Sequence, residues 1–354
     1  MGLYCQPFHS RFHPVFASIL TVLVACASED GAQGLRADDA GQDLGGPLEL
    51  GQELDVGAPL DLGDGDMAQD EEGGCGSVMA QGLSVEALPP SVTDPEIRSG
   101  DPDHRHLAAA GSATGRLFLF LPGATAQPSD YVDVLRNAAA GGDDALGLSY
   151  VNDARIFVVC GSDPDPDCQE SFRIEVLFGE SRSPHVDVGP ADSISNRLVK
   201  VLQHLGWTNY LDGDEPRWSS IAVAGHSQGS GHAAMIGRFF ETERVIMVAG
   251  AEPAPWTLEP RMTPPARSWG FGHVDDQLSR AFRRAWDNLG IPGPPSIVDS
   301  ARPPFGGTHQ LLTRASPNPT DPNPHNSPIA DTSTPRDAEG RSAYAEVWCH
   351  LLGL

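Results

Sequence analysis

The chain predicts an α/β fold, a mostly parallel sheet flanked by helices on both faces, and three observations carry that prediction. Four short apolar runs, Leu117–Leu121, Ile156–Val159, Ile221–Ala224 and Val245–Ala249, have the length and composition of strands buried on both faces. Helix-period patterns separate and follow them. One run empties directly into G-H-S-Q-G (Gly225–Gly229), a sharp junction between a strand and a helix rich in small residues (Ser230, Gly231, Ala233, Ala234).

In chain order, Tyr131, Leu135, Ala138 and Ala139 share one helical face, and Ile194, Leu198, Val201, Leu202 and Leu205 share another at i, i+4, i+7, i+8, i+11. Leu278, Phe282, Ala285 and Leu289 repeat the pattern, and Tyr344, Val347, Trp348 and Leu351 close the chain. Ser268–Phe271 and Ser296–Val298 are further strand candidates, and His309–Thr313 is an alternative last strand. Strands alternating with helices imply right-handed crossovers, hence parallel pairing. Such sheets bind ligands beyond the carboxyl ends of their strands, where Ser227 falls.

The N-terminal region has a different character. Arg11 supplies a positive charge ahead of the apolar stretch Val15–Ala25, which is too short to span a bilayer as a mature helix. Leu23-Val24-Ala25-Cys26 resembles a bacterial lipobox, and the resemblance implies a lipoprotein signal peptide over 1–25 with lipidation of Cys26. The mature chain would then be exported to the bacterial cell envelope and anchored to a membrane without crossing it. Ala27 after the cysteine suits the outer membrane where sorting reads that residue. The alternative is an ordinary signal peptide cut at a nearby small residue, which also implies export.

From Ala27 to Cys75, 14 acidic residues face the single basic Arg36, with many glycines. Such a segment buries too little apolar area to offset its ordering entropy and reads as a disordered tether over 26–75. It holds about half of the formal net charge of −25, so the remaining domain, 76–354, is moderately acidic and has no nucleic-acid-binding character. Asp61–Asp66 (D-L-G-D-G-D) lacks the full ligand spacing of a calcium loop and reads as spacer.

Beyond Cys5 and Cys26, four cysteines remain, an even number for an oxidising compartment, and three pairings are possible. The short loop Gly161–Asp167 favours Cys160–Cys168, which leaves Cys75 with Cys349. No C-x-x-C spacing points to metal.

G-H-S-Q-G has the spacing of a nucleophile elbow, in which a strained serine is held out at the end of a sheet and flanking glycines allow two chain segments to touch. Ser227 is therefore the candidate nucleophile. With F-L-P-G-A (Phe120–Ala124), G-H-S-Q-G-S-G-H-A-A (Gly225–Ala234) and the P-H-N-S…D…T-P run (Pro324–Pro335), the chain resembles the α/β-hydrolase superfamily, and within it a group of bacterial secreted hydrolases.

The resemblance implies a Ser-His-Asp triad in the chain order serine, acid, histidine. The acid falls in Gly272-His273-Val274-Asp275-Asp276; G-x-x-D spacing favours Asp275, while Asp276 reads as a helix cap, with Glu252 as an outside candidate. The base is His325 or His309, and His325 is preferred. His226, His232 and His273 read as structural. Gln228, after the nucleophile, and Ala124, in the Pro122–Thr125 turn, are the candidate oxyanion donors through their backbone N–H groups.

The 17 residues between Ala249 and Arg267 leave no room for a cap domain, so the site should be open, fitting a bulky or surface-bound ester, with the Gly161–Gly189 loop beside it. No dinucleotide fingerprint, phosphate loop or zinc spacing occurs, and no cofactor is implied. The favoured reading is a carboxylic-ester hydrolase working through an acyl-enzyme. The alternative is a tethered surface lipoprotein that uses the same fold for binding without catalysis, and a peptidase or acyltransferase would share the triad.

Overall fold

The computed structural model describes residues 74–97, 101–110 and 112–354. The segments expected as a signal peptide (1–25), a lipidation site (Cys26), a calcium-like run and nearly all of an acidic tether lie outside the described residues. Among the described residues no helix is long and apolar enough to cross a membrane.

The chain opens with β1 (Glu86–Leu88), α1 (Pro90–Thr93), β2 (His104–Leu107), β3 (Leu117–Leu121), α2 (Val132–Ala140) and β4 (Asp144–Gly147). Three helices follow, α3 (Ile156–Val159), α4 (Cys168–Phe178) and α5 (Ile194–His204), then a small hairpin of β5 (Leu211–Asp212) and β6 (Glu215–Pro216). The centre is β7 (Ile221–His226), α6 (Gln228–Phe239) and β8 (Arg244–Val248). The remainder is β9 (Ser268–His273), α7 (Ser279–Asn288), β10 (Ser296–Ile297), β11 (Gln310–Thr313) and α8 (Ala345–Leu352).

Among the described residues, nine strands form one sheet in the order β1-β2-β4-β3-β7-β8-β9-β11-β10. Pairing is parallel from β4 to β10, whereas β2 runs antiparallel to both β1 and β4. Because successive side chains of a strand point to opposite faces, each central strand feeds two cores. Leu117, Leu119, Leu121, Val223, Val245 and Met247 pack on the side of α4, α5, α6 and α7. Phe118, Phe120, Ala222, Ala224, Ile246 and Val248 pack on the other, under α2 and α8. Every residue of β3 and β7 is buried, which is why these runs are apolar without alternation.

The sequence order places β4 on one flank of β3 and β7 on the other. The crossover through α2 leaves β3 in one direction and the chain later returns in the opposite one, so a crevice opens at the carboxyl ends of β3 and β7. The elbow and the Pro122–Thr125 turn both stand there.

Two expectations are corrected. Ile156–Val159 is a helical turn and not a strand: only Ile156 is buried, while Phe157 and Val158 are exposed. The strand that precedes β7 in the chain and pairs with β3 is instead β4, whose short Asp-Ala-Leu-Gly sequence carries little strand signal yet buries Ala145 and Leu146 fully. A short apolar run does not by itself separate strand from helix. The Gly161–Gly189 segment, expected as a loop, contains α4, whose Phe172, Val176 and Leu177 join the core.

The stretch between β8 and β9 forms only two short 3₁₀ turns, Pro255–Leu258 and Pro265–Arg267. Of the two placements considered for the end of the sheet, β11 occupies Gln310–Thr313 and pairs with β9, while Ser296–Ile297 forms the edge strand.

Both cysteine pairs are joined, Cys160 to Cys168 across 8 positions and Cys75 to Cys349 across 274. The longer link fastens the start of the domain to α8. Since a cross-link removes more chain entropy the longer its loop, Cys75→Ser with Cys349→Ser should cost about 2–4 kcal/mol. A thermal midpoint lowered by several degrees is the expected result, and an unchanged midpoint would show that the link contributes nothing.

Candidate active site

Ser227 sits between β7 and α6 with φ 52° and ψ −116°, a conformation costly for a residue with a side chain. Its surroundings enforce it. A Cβ at Gly225 would lie 2.2 Å from the Gly229 carbonyl carbon, and one at Gly229 would lie 2.1 Å from the Leu121 oxygen. The Ser227 N–H donates to the Val248 oxygen at 2.9 Å, and the Ser230 hydroxyl reaches the Gly225 and Val248 oxygens at 2.6 and 2.7 Å. The turn is thus wedged between β3 and β8.

Gln228 opens α6, so its backbone N–H belongs to the first turn of a helix, where such groups have no helical acceptor. Its carbonyl accepts from Arg173 Nη1 at 3.0 Å, and its side-chain oxygen accepts the Ile156 N–H at 2.9 Å. Arg173 is fully buried and paired with Glu252 at 2.5 Å, so the Glu252 carboxylate is engaged by a guanidinium. A Cβ at Gly231 would lie 2.1 Å from the guanidinium carbon, so the second glycine after the elbow makes room for Arg173.

Across the crevice, the Gly123 N–H donates to the Tyr131 hydroxyl at 3.3 Å and the Thr125 N–H donates to the Asn152 carbonyl at 2.9 Å. Between these two committed amides, the Ala124 N–H has no protein partner among the described residues. Asn152 fixes the turn further by donating to the Gly123 and Ala126 carbonyls at 2.7 and 2.9 Å. A Cβ at Gly123 would stand 3.4 Å from Ser227 Cβ, so the turn packs directly on the serine.

His325 arrives on the long loop after β11. Its Nδ1 lies 2.7 Å from Asp276 Oδ2, and because a carboxylate only accepts, Nδ1 carries the proton and Nε2 is the basic nitrogen. Asp276 is buried, and its other oxygen accepts the Leu278 N–H at 2.8 Å. The preference for Asp275 is therefore corrected: Asp275 is exposed, and its N–H donates to His273 Nδ1 at 3.0 Å. The cap-like character of Asp276 and its contact with histidine are compatible because its two oxygens serve different donors.

His309 stands elsewhere. It precedes β11, at the amino end of the sheet, with Nδ1 3.0 Å from the Ser268 carbonyl and its ring stacked on Trp269 at 4.3 Å. His273 bonds the Ala315 carbonyl at 3.0 Å, and His232 is wholly buried against Tyr150 and Phe172. His226 is fully buried beside the serine, and burial, helped by neighbouring His325, pushes its imidazole down to about 3.

Ser227, His325, Ala124, Tyr131, Phe157 and Leu278 line one open cavity of about 410 Å³. Asp163, Cys168 and His185 also converge among the described residues, but the Cys168 sulfur is consumed in a disulfide, leaving a His185–Asp163 pair at 2.5 Å. Sequence reasoning assigned Tyr131 only to a helix face, included Asp331 only as the acidic residue of the Pro324–Pro335 run with no role, and missed Asn152. Asp331 accepts the N–H groups of Val132 and Asp133 at 2.8 and 3.2 Å, which pins the histidine loop to the start of α2. A carboxylate capping a helix nearly 200 positions away leaves no local signal.

No protein-family model matches the chain, and no curated protein matches it. Among solved structures, it is similar to the crystal structure of MGS-M1, an alpha/beta hydrolase enzyme from a Medee basin deep-sea metagenome library. The identity is 12% and the TM-score 0.36, covering 66% of this chain and 82% of that one.

Burial holds His104 and His226 near 3, against 6.5 for a free imidazole, and lowers His232 well below that value. Between these limits the unfolded chain binds protons that the folded chain refuses, so stability rises with pH and falls as pH drops below the free value. Unfolding free energy should decline by about 1.4 kcal/mol per pH unit for each such histidine. Melting at about pH 7 and about pH 5 checks this, and equal midpoints would contradict it.

Proposed function

We propose that the chain is a serine hydrolase of the α/β-hydrolase type, acting on carboxylic esters. One observation carries the reading: a strained serine at the carboxyl end of a central strand shares a cavity with a histidine whose Nδ1 is held by a buried carboxylate.

In the proposed reaction Ser227 Oγ attacks the ester carbonyl while His325 Nε2 takes its proton, and Asp276 stabilises the imidazolium through Nδ1–H. The oxyanion is received by the N–H groups of Gln228 and Ala124. Collapse of the tetrahedral intermediate expels the alcohol, which recovers the proton from His325. Water, deprotonated by the same nitrogen, then attacks the acyl-enzyme, and its collapse releases the acid and returns the proton to Ser227. Each step uses only groups of this chain and water. The open cavity without a helical cap between β8 and β9 favours a bulky or surface-presented ester over a small enclosed substrate.

Wild-type protein should react with a fluorophosphonate probe and hydrolyse short p-nitrophenyl esters. Ser227→Ala and His325→Ala should each lose both properties in folded protein, because triad members act as a unit, while His309→Ala keeps turnover within a few-fold. Asp276→Asn should fall by orders of magnitude and Asp275→Asn should not. A folded wild-type protein that neither labels nor hydrolyses any ester would replace this reading with binding on a hydrolase-like fold.

The lipobox-like segment extends the proposal to an enzyme tethered in the bacterial envelope, with the acidic segment as its leash. Cys26→Ser should move the protein from the membrane to the soluble fraction, since lipid chains would supply the anchorage. Retention of the variant on membranes after a high-salt wash would rule the lipid anchor out.

A further inference from the structure

His226 and Tyr131 form a buried chain of hydrogen bonds that the proposed reaction does not use. The His226 Nε2 lies 3.0 Å from the backbone carbonyl of His325, and its Nδ1 lies 2.9 Å from the Tyr131 hydroxyl. A carbonyl only accepts, so Nε2 carries the hydrogen and Nδ1 must accept the Tyr131 proton. The Tyr131 oxygen in turn accepts the Gly123 N–H at 3.3 Å. The direction of every bond is thereby fixed. The chain starts at the residue before one candidate oxyanion donor and ends on the backbone of the candidate base.

We propose that His226 and Tyr131 are positioning residues that set the Ala124 N–H and the His325 imidazole in register with Ser227. The inference rests on the hydrolase reading and deepens it. The oxyanion turn follows β3 and the histidine loop follows β11, strands separated in the sheet by β7, β8 and β9, and His226 at the end of β7 bonds the histidine loop directly and reaches the turn through Tyr131. His226 is adjacent to the nucleophile in the chain, so a ligand pair on its ring measures both loops against the serine. A side chain at Gly123 would approach His226 Nδ1 to 3.0 Å, so the turn, the ring and the elbow are in mutual contact. The His226 and His325 rings are also packed together, 4.9 Å between centroids.

The arrangement needs a neutral imidazole. A second ring proton would set two donors, Nδ1–H and the Tyr131 O–H, against each other. Complete burial of both side chains guards against this, because burial disfavours charge on either group: it lowers the pKa of His226 and raises that of Tyr131.

A double-mutant cycle on ester turnover tests the relay. Tyr131→Phe keeps the ring and removes only the hydroxyl, leaving the Gly123 N–H and His226 Nδ1 without their shared partner. It should lower kcat on the order of tenfold to a hundredfold, the scale of a displacement of an ångström or less, with little change in KM. Affinity for a boronic acid, which becomes tetrahedral on the serine and needs the oxyanion donors, should fall in parallel. His226→Gln should fall similarly, and the double variant should be no worse than the weaker single one, because both break the same chain. Multiplicative losses, or Tyr131→Phe activity within twofold of wild type, would overturn the relay and leave the hydrolase reading intact. Should His226→Gln fail to fold, the kcat and boronate responses of Tyr131→Phe decide alone. Wild-type protein inert to fluorophosphonate and to all esters would instead overturn the hydrolase reading, and with it the purpose assigned to the relay.

Discussion

The carbonyl oxygens of Leu121 and Pro122 stand where any side chain at Gly229 would have to be, at 2.1 and 2.6 Å from a Cβ built there. That contact lets the end of β3 press against the first turn of α6. Because of it, the Pro122–Thr125 turn reaches Ser227, the elbow keeps its left-handed backbone, and α6 starts with its amide groups facing the crevice. The strain at Ser227 costs on the order of 1–3 kcal/mol and persists because the surrounding bonds leave the residue no other conformation. Ser230 adds to this, since its hydroxyl lies within hydrogen-bond reach of both the Gly225 and Val248 carbonyls and thereby links β7 and β8 beneath the serine.

Two of the charged groups behind this surface are buried in paired sets, and that pairing explains why their charge is tolerated. Arg173 sits beneath α6 with Glu252 and the Gln228 carbonyl as partners and Trp256 under its guanidinium at 5.8 Å. Removing one member of such a set leaves an uncompensated charge, so the pair constrains the helix more than it stabilises the fold. On the other side of the sheet, Asp331 takes the first amides of α2, where the helix dipole favours a carboxylate, although burial and nearby Asp133 raise its pKa. Trp348 of α8 donates to the Pro328 carbonyl at 2.9 Å. The loop that carries His325 is therefore held at Asp276, at His226, at α2 and at α8, and this accounts for how so long a Pro- and Asn-rich segment presents one imidazole.

The Cys160–Cys168 link has a local consequence at the same cavity. It closes the turn between α3 and α4, and α3 is tied to the elbow through the Ile156 N–H and Gln228 side chain. Phe157 is therefore held outward, 45% exposed, at the mouth of the crevice rather than folded into the core, and its neighbour Val158 is 53% exposed. The exposed Phe157 ring on this clamped turn supplies an apolar edge to the opening that holds Ser227.

What the sequence by itself determined was whatever depends on contacts between near neighbours in the chain. The apolar runs Leu117–Leu121, Ile221–Ala224 and Val245–Val248 within β3, β7 and β8, the faces of α2, α5, α7 and α8, the glycine spacing around Ser227 and the short Cys160–Cys168 loop all follow from local periodicity and sterics. The tertiary structure decided the rest, because those outcomes depend on which distant segments meet. β4 forms from a weak sequence because β2 and β3 flank it, while the stronger apolar run at Ile156 remains a turn with no place in the sheet. Asp275 and Asp276 are chemically identical neighbours, and only the position of β11 and its loop determines that His325 meets the second of them. His309 and His325 differ in the same way: both are polar residues in plausible loops, but parallel pairing of β11 with β9 sends one to the amino end of the sheet and the other to the carboxyl end. Tyr131 and His226 are bonded across 95 positions through groups that give no pattern in sequence, since a hydrogen bond needs a partner in space and periodicity does not record one.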